Sequence, residues 1–215
     1  MSKQDSQTTA SVSWAGGTSG VVAPQALDDD WSPAPDARAT GVATAIDGTL
    51  HLTAELARRL IGAHQAAASL IIGGNWQGMR KYFSLSPRYA AWYHYRTPAV
   101  GFGMHAQVVA HNSALRLTQE GLEQHPAWKH FGVEAGKHPP LRGWLAVPLV
   151  GENGRNYGLL QLSDKYDDAD FTEEDEAQLA QLARLTATTL GALLRLHENP
   201  APGHEDRTGK KYPHT

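Results

Sequence analysis

The sequence predicts an α+β fold in which an antiparallel sheet is covered on both faces and is followed by a long amphipathic helix. Three observations predict it. Two apolar stretches flank an Asn153-Gly154 pair, neither stretch has a clearly polar face, and the residues from Thr172 onward combine capping residues with helical spacing. A covered sheet of this kind is a good platform for enclosing a small ligand.

The Asn153-Gly154 pair predicts a tight hairpin, because both central residues of a type I′ turn need positive φ angles. Before it, the strand at 141–150 carries apolar residues at both alternating sets of positions, with Trp144 among them. After it, the strand at 157–162 is apolar apart from Gln161. Since neither strand has a polar face, both faces of the sheet must be covered.

The last helix is predicted to begin at Thr172, whose hydroxyl can cap it before an acidic first turn. Its apolar side chains form two rows, one of Leu179, Leu182, Thr186, Thr189, Leu193 and Leu196 and one of Leu185 and Leu190. One row can pack on the sheet and leave the other for a partner helix. The segment Leu52–Ala67 supplies a matching stripe, with Thr53 as its N-cap. The alternative is that both rows are buried within one molecule.

The segments between these helices are less regular. We expect short strands at 68–72 and 114–117, a short helix at 102–111, and an aromatic segment at 79–95 that is helical in part. These segments complete the sheet and supply cover for one of its faces.

The arrangement of Asp164-Lys165, Phe171 and Asp175-Glu176 is similar to a signature of the GAF domain family, in which Asn precedes the Lys. The likeness extends back through AHQAAASLIIGGNWQGMRKYFSLSPRYAAW and ALRLTQEGLEQHPAWKHFG, and it covers roughly residues 50–198. The chain therefore resembles a bacterial signalling sensor GAF domain of the type associated with histidine kinases.

This resemblance implies a GAF-like antiparallel sheet of about six strands, with the N- and C-terminal helices on one face. It places a ligand pocket under helices and loops on the other face. It also implies that Lys165 pairs with Asp175 and ties the last strand to the last helix. In related domains the first and last helices often form a bundle across a homodimer.

The composition divides the chain into three parts. We expect a disordered N-terminal arm at 1–48, the GAF domain at 49–198 and a disordered C-terminal tail at 199–215. The arm is rich in small and polar residues and cannot offset its ordering entropy by burial. Trp14 and Trp31 are unusual there, and they are either loosely clustered tail aromatics or docking anchors.

The overall charge and composition exclude several classes of protein. Nineteen basic and 22 acidic residues give a net charge of −3, and no Lys/Arg run exceeds two, which argues against nucleic-acid binding. No apolar run can span a bilayer, and the start lacks the apolar stretch of a secretory signal. Cysteine is absent, which excludes disulfides and thiolate sites. We expect a cytoplasmic protein that contacts neither nucleic acid nor membrane.

No pattern of catalytic residues is present. The chain lacks a G-x-S-x-G elbow, a Walker loop and a complete dinucleotide fingerprint. Within the family that it resembles, bilin attachment and free-methionine-sulfoxide reduction need cysteines, so the lack of cysteine excludes both. We expect a protein that is not an enzyme.

The 11 histidines do not have the spacing of a metal site. His105 and His111 fall on different sides of a helix, and no H-E-x-x-H motif occurs. We expect no metal site, and the sequence identifies no cofactor. A metal site assembled from distant residues and a haem held by a single histidine stay open as alternatives, with His105 as the first candidate for the haem.

The remaining candidates are aromatic and polar residues that suit binding rather than reaction. A Gln among apolar neighbours needs a hydrogen-bond partner, which a ligand or a backbone carbonyl can supply. We expect a ligand site formed by Trp92, His105, Trp128, Phe131, Trp144 and Gln161. For each aromatic residue, plain core packing is the alternative.

These observations favour a non-catalytic GAF domain that senses an unidentified small molecule in bacterial signal transduction. Ligand binding would shift helix packing in a homodimer formed through Leu52–Ala67 and Leu179–Leu196, with the output passing to a separate signalling protein. The alternative is a ligand-free dimerisation or adaptor module whose pocket is filled by its own tryptophans. An open cavity lined by Trp144 and Gln161 would favour the sensor.

Overall fold

The computed structural model of the protein describes residues 35–95, 103–128 and 138–198. The predicted tail at 199–215 and the first 34 residues of the predicted arm, with Trp14 and Trp31, lie outside these residues. The described elements are α1 (Pro35–Ile61), β1 (Ala63–Leu70), β2 (Arg80–Leu85), α2 (Met104–His111), β3 (Leu115–Leu117), α3 (Gln119–Gln124), β4 (Trp144–Val150), β5 (Asn156–Lys165) and α4 (Glu173–Glu198), with short 3₁₀ helices at Ile72–Gly74 and Pro87–Trp92.

The strands of the described residues form one antiparallel sheet in the order β2-β1-β5-β4-β3. The central strand, β5, pairs with β1 from Ala63 opposite Lys165 to Leu70 opposite Gly158. The predicted α+β fold with a covered antiparallel sheet is confirmed, and the sheet has five strands where about six were expected.

Gly158 is required by the close approach of β1 to β5. Its φ is +139°, and a Cβ built there would lie 1.9 Å from the backbone oxygen of Ser69. An L side chain rarely adopts this φ, and the carbonyl cannot move away without disturbing the ladder. Only glycine therefore fits this strand position.

The helices α1 and α4 pack side by side on one face of the sheet, which we call the helix face. The buried hydroxyls of Thr53 and Thr186 lie 3.0 Å apart between them. The core on this face includes Ile46, Leu50, Ala54, Ala57, Leu145, Val147, Leu149, Leu160, Leu162, Leu179, Ala183 and Leu190. Within the described part of the chain, no helix has both the length and the apolar character of a membrane span.

The opposite face of the sheet, which we call the second face, is covered by α2 and α3. Its core is smaller and consists of Ile71, Met104, Val108, Leu122, Trp144, Ala146 and Leu159. The two faces alternate along each strand, as the side-chain period of two requires. Leu145 and Val147 therefore face α1 and α4, whereas Trp144 and Ala146 face α2 and α3.

The first helix begins earlier than the sequence predicts. It starts at Pro35, so residues 35–48 of the expected arm are helical and the helix crosses the predicted domain start at residue 49. Val42, Ile46 and Leu50 recur every four residues and pack against the helix-face core. The glycines and threonines between them have low helix propensity, so this spacing does not predict a helix from the sequence. Packing against the helix-face core stabilises the helix instead.

The predicted segment Leu52–Ala67 is not a single helix. The helix ends at Ile61, and residues 63–67 belong to β1, so the proposed stripe stops there. Gly62, at φ +75°, provides the left-handed residue that commonly ends a helix. Thr53 lies inside α1 and bonds to Thr186, so its prediction as an N-cap is also wrong.

The segment 79–95 contains a strand that the sequence analysis missed. β2 occupies Arg80–Leu85 and pairs with β1, and a 3₁₀ helix follows at Pro87–Trp92. Tyr82 and Phe83 favour a strand, but the aromatic residues around them obscure the alternation. The strand places Lys81 and Phe83 at the second face.

The hairpin between β4 and β5 is present, but its turn is not type I′. Gly154 has φ +75°, whereas Asn153 is not among the residues with positive φ. The amide of Gly154 donates to the Gly151 oxygen at 2.9 Å, which makes Glu152 and Asn153 the central residues of the turn. A left-handed glycine after such a turn is the alternative that longer hairpin loops use.

The start of α4 is held by a reciprocal cap. Thr172 Oγ1 accepts from the Asp175 amide at 3.1 Å, and Asp175 Oδ2 accepts from the Thr172 amide at 2.8 Å. The same Oδ2 accepts from Lys165 Nζ at 2.9 Å, which is the pairing that the resemblance implied. Burial alone would raise the pKa of Asp175, but the bonds from Thr172 and Lys165 outweigh it and lower that pKa.

The buried stripe of α4 follows the predicted rows only in part. Leu179, Thr186 and Leu190 are buried, while Leu182 and Leu193 are half-buried. Leu185 and Leu196 are exposed, at 66% and 59% of their surface. Small residues such as Ala183 and Ala187 line the contact instead, because α1 approaches closely there. Two leucines on the outer side of α4 are therefore accessible in the single chain.

Candidate functional site

The register of the sheet gathers polar side chains on the second face. Lys81 of β2 lies directly opposite Ser69 of β1, and Gln161 of β5 lies opposite Ala67 and Ala146. Trp144 is two residues from Ala146 on β4 and therefore points to the same face. Four chemically distinct side chains thus share a surface that is otherwise apolar.

His105 of α2 lies over this group. Its Nε2 is hydrogen-bonded to Gln161 Oε1, and its ring meets the Trp144 ring edge-on with centroids 5.6 Å apart. Burial, followed by the nearby Lys81 charge, lowers the pKa of His105 to about 3. The imidazole is therefore neutral near pH 7, which makes it a weak general base there.

Lys81 is the cation of the group. It is half-buried, and its Nζ lies 3.5 Å from His105 Nε2 and 4.9 Å from the centroid of the Phe83 ring. Burial lowers the pKa of Lys81 to about 8, so the ammonium form still predominates at pH 7. The aromatic ring stabilises that charge only modestly.

Two buried polar atoms of the second face have no hydrogen-bond partner within the described residues. They are the Ser69 hydroxyl oxygen and the Trp144 indole nitrogen, and both residues are 0% exposed. Leaving such a group unpaired costs about 1–3 kcal/mol. Both unpaired groups lie on the same face of the sheet.

The structure brings together three of the six predicted ligand-binding residues and places a fourth nearby. His105, Trp144 and Gln161 are in contact through the hydrogen bond and the ring contact described above. Trp128 is half-buried and packs against the same apolar cluster. Phe131 lies outside the described residues.

Trp92 has a different environment from the other predicted residues. It is half-buried in the 3₁₀ helix after β2, and its ring meets Tyr89 edge-on with centroids 5.6 Å apart. The Tyr89 hydroxyl donates to Asp164 Oδ2 at the C-terminal end of β5. The contacts of the described residues therefore place Trp92 with Tyr89 rather than with His105.

Asp164, which stands where the family signature has Asn, is almost fully buried in this second cluster. Its φ is +63°, a conformation that Asn and Asp adopt more readily than other side chains. Oδ2 accepts from Tyr89 and lies 4.0 Å from Arg88 Nη1, while Oδ1 has no partner among the described residues. Burial and then the bond to Asp164 raise the pKa of Tyr89 to about 12.

Two cavities among the described residues lie away from the second face. One of about 200 Å³ lies between the start of α1, the end of α4 and the β1–β2 connection, and its lining includes Ile46, Arg80 and Leu194. The other, of about 130 Å³, lies between the hairpin and α4 beside Tyr157. Neither is lined by Trp144 or Gln161, because α2 covers those two side chains.

Lys81 and Ser69 are the members of this group that the sequence analysis missed. Lys81 was hidden because residues 79–95 were expected to be partly helical. The alternation of Lys81, Phe83 and Leu85 with Arg80, Tyr82 and Ser84 is the pattern that predicts β2. Ser69 sits among small apolar residues, and only the register shows which residue it faces.

The chemistry of this group suits binding. Within the described ranges, no cluster of three or more His, Asp and Glu side chains has the geometry of a metal site. Three hydrogen-bond donors of the second face have no acceptor among the described residues. They are the Lys81 ammonium, the Trp144 indole and the Ser69 hydroxyl. The arrangement can therefore hold an acceptor-bearing molecule against an aromatic surface.

Comparisons with known proteins agree with this fold. The family model described as GAF domain matches residues 43–190. No curated protein matches the chain. Among solved structures, the GAF domain of a phosphoenolpyruvate-protein phosphotransferase (ptsP) from Coxiella burnetii is 18% identical, with a TM-score of 0.53 over 77% of this chain and 96% of that one.

Two further solved structures are similar in fold. The type II free methionine-R-sulfoxide reductase from Thermoplasma acidophilum is 16% identical, with a TM-score of 0.52, and the match covers 71% of this chain and 96% of that one. The GAF domain of the cyanobacteriochrome TePixJ is 14% identical, with a TM-score of 0.54, and the match covers 67% and 88%. At these identities the likeness is one of fold. Since the family model spans more than half of the sequence, this chain belongs to the GAF domain family, a sensory and regulatory fold in signalling.

Proposed function

We propose that this GAF domain is a non-catalytic small-molecule sensor in bacterial signal transduction, of the histidine-kinase-associated type. Its ligand site is the second face of the sheet beneath α2. It acts as a cytoplasmic homodimer through the outer surfaces of α1 and α4, on a separate signalling protein. The single observation that carries the proposal is the pair of unpaired buried groups, Ser69 Oγ and Trp144 Nε1, on one face.

The hydrogen bond between His105 and Gln161 supports sensing because it connects α2, which covers the second face, to the sheet. His105 belongs to α2, whereas Gln161 belongs to β5, the central strand that pairs with β1 and β4. A ligand that hydrogen-bonds to Trp144 or Ser69 would compete with or reinforce the His105–Gln161 contact. Binding would then bias the position of α2, in the manner of a population shift between two arrangements.

The dimer part of the proposal rests on leucines that the single chain leaves exposed. Leu52, Leu56 and Leu60 of α1 are 59%, 54% and 60% exposed, and they recur every four residues. Leu185 and Leu196 of α4 are exposed to a similar degree. A stripe of this kind on two adjacent helices suits a bundle with a second copy.

The second candidate is a ligand-free dimerisation or adaptor module, and two observations favour it. Trp144 is fully buried under α2, as expected if the domain fills its own interior, and neither of the two cavities described above is lined by Trp144 or Gln161. In that case the exposed leucines would be the functional surface. The two candidates differ in whether anything occupies the second face beside the chain's own side chains.

Native mass spectrometry of the full chain, purified from its source cells, tests both parts. We expect a retained small molecule and a dimer. The Trp144→Phe variant, which removes the indole donor but keeps an aromatic ring, should lose the molecule and keep the dimer. The Leu56→Glu variant should become monomeric, whereas Glu55→Gln beside it should remain dimeric.

A dimer that never retains a molecule, with Trp144→Phe identical to the unmodified chain, would favour the adaptor. A molecule that carries iron and absorbs in the visible region would favour a haem sensor instead, with His105 as the residue to replace. A monomer at all concentrations would remove the dimer from the proposal.

A further inference from the structure

Lys81 is a cation that has no counterion among the described residues. The ion pairs between described residues do not include it. Its polar contact is with His105, and its other neighbour of note is the ring of Phe83. Half-burying an ammonium group is unfavourable unless a charged or accepting group faces it. Among the described residues, no charged or accepting group offsets the burial of the Lys81 ammonium.

His105 cannot supply the missing acceptor. A nitrogen of neutral imidazole either donates or accepts a hydrogen bond. Nε2 faces Gln161 Oε1, which is an acceptor, so Nε2 carries the proton and donates it. The same nitrogen then has no lone pair for Lys81, whose Nζ is 3.5 Å away.

The two unpaired groups of the second face can donate hydrogen bonds, as the Lys81 ammonium does. Ser69 is directly across the β1–β2 ladder from Lys81, at the spacing of a cross-strand pair. Trp144 is in ring contact with His105, the residue that also meets Lys81. An indole nitrogen only donates, and a hydroxyl without a partner can donate. Lys81 and Trp144 thus both lie against His105 and Ser69 lies across the ladder from Lys81, so three donors without an acceptor among the described residues share the second face.

We infer that the second face binds an anionic small molecule, whose carboxylate or phosphoryl oxygens accept hydrogen bonds from Lys81, with Ser69 and Trp144 as further donors. The inference rests on the proposed function, because it names the ligand class of the same site. A charged acceptor restores the interaction that the ammonium loses when it leaves water. A neutral ligand would satisfy Trp144 and Ser69 but would leave the Lys81 charge uncompensated.

The state of Lys81 fits this assignment. With burial lowering its pKa to about 8, the ammonium is destabilised relative to water but is still protonated at pH 7. An anion at Nζ would raise that pKa again. The Phe83 ring beside Nζ provides an apolar surface for the rest of the molecule.

The test is a titration of the ¹⁵N-labelled full chain followed by NMR. The probes are acetate and inorganic phosphate, with acetamide as the neutral counterpart of acetate. The Trp144 indole signal is identified by its loss in Trp144→Phe. Lys81→Met removes the charge and keeps much of the stem, and Arg184→Gln removes one exposed positive charge from α4 as the matched control.

We expect a saturable shift of the Trp144 indole signal with at least one anion and none with acetamide. The anion that acts at lower concentration distinguishes a carboxylate from a phosphoryl ligand. Lys81→Met should weaken the affinity for that anion by about tenfold or more, since hydrogen bonds to charged groups contribute that much. Arg184→Gln should change the affinity by less than about twofold.

Three results would overturn the assignment: an equal response to acetamide, unchanged affinity in Lys81→Met, or no response to either anion. The proposed function is judged separately by the retained molecule in native mass spectrometry. If the retained molecule is neutral and is lost in Trp144→Phe, the assignment of an anionic ligand is wrong, but the proposed sensor function is still supported. If nothing is retained and no probe shifts the indole signal, both fail.

Discussion

The Thr53 hydroxyl of α1 donates a hydrogen bond to the Thr186 hydroxyl of α4. The two oxygens are 3.0 Å apart. Because the Thr186 hydroxyl donates to the Leu182 carbonyl at 2.9 Å, Thr53 is the donor in the bond between the two threonines. Both side chains are buried in a contact otherwise formed by Ala and Leu. This bond fixes the register of the two helices that carry the exposed leucines.

The direction of that bond predicts unequal effects of two substitutions. Thr186→Val leaves the buried Thr53 donor without its acceptor and should lower the free energy of unfolding by about 1–2 kcal/mol. Thr53→Val leaves Thr186 still bonded to Leu182 and should cost less, about 1 kcal/mol or under. Urea unfolding of both single variants and the double variant measures this. Equal costs that simply add would contradict the assigned direction.

Asp175 predicts a pH dependence of stability. Its pKa is lowered in the folded state, so its contribution is present above its ordinary pKa of 3.8 and is lost as pH falls through the folded value. Asp175→Asn should lower stability at pH 7 by about 1–2 kcal/mol, because the bond to Lys165 loses its charge. The difference from the unmodified chain should shrink below pH of about 4.

Glu174→Gln is the control for Asp175, since it removes a charge from the same exposed first turn without touching Lys165. Thermal unfolding from pH 7 to pH 3 compares the three proteins. If Glu174→Gln reproduces the full effect of Asp175→Asn, the helix dipole rather than the Lys165 bond is responsible.

His105 predicts a pH dependence over a different range. Its pKa is about 3 when folded and near 6.5 when unfolded, so the unfolded chain binds more protons between those values. Stability should therefore be greatest above pH 6.5 and should fall as pH drops towards 3. His138, with a folded pKa of about 4, contributes in the same direction and is present in all variants.

Replacing His105 with Gln should flatten this dependence, because Gln does not titrate. Urea unfolding at pH 7, 6, 5 and 4 tests it, with the exposed His94→Gln as the matched control. The expected result is a smaller loss of stability on acidification in His105→Gln than in His94→Gln. Parallel pH profiles for both variants would show that His105 is not held neutral.

Asp164 and Tyr89 predict opposite responses to two conservative changes. Asp164→Asn keeps the left-handed conformation and an oxygen for Tyr89 while it removes a buried charge, so stability should stay within about 1 kcal/mol or rise. Tyr89→Phe leaves the carboxylate without its donor and should cost about 1–3 kcal/mol. Chemical unfolding of both variants tests this, and a large loss in Asp164→Asn would show that the charge is needed.

Much of the fold is predictable because its second half is encoded by local patterns. The apolar strands around the hairpin and the cap at Thr172 each depend on neighbouring residues, and all three appear where expected. The family signature adds the contact between Lys165 and Asp175. Short-range patterns of this kind persist whatever the rest of the chain does.

The parts that could not be predicted depend on tertiary contacts. The helical residues before Leu52 are stabilised by packing of Ile46 and Leu50, whose four-residue spacing is masked by the glycines and threonines between them. The strand that carries Lys81 is recognised by its pairing with β1. For the site, aromatic and polar residue types identified His105, Trp144 and Gln161, but the missing acceptor of Lys81 follows from distances alone.

The most direct test of the central claim is an experimental structure of the full chain purified from its source cells. The account predicts a bound small molecule at the second face, with an oxygen within hydrogen-bond distance of Trp144 Nε1 or Ser69 Oγ. It would be contradicted by a second face in which side chains of the chain itself satisfy both groups and no molecule is present.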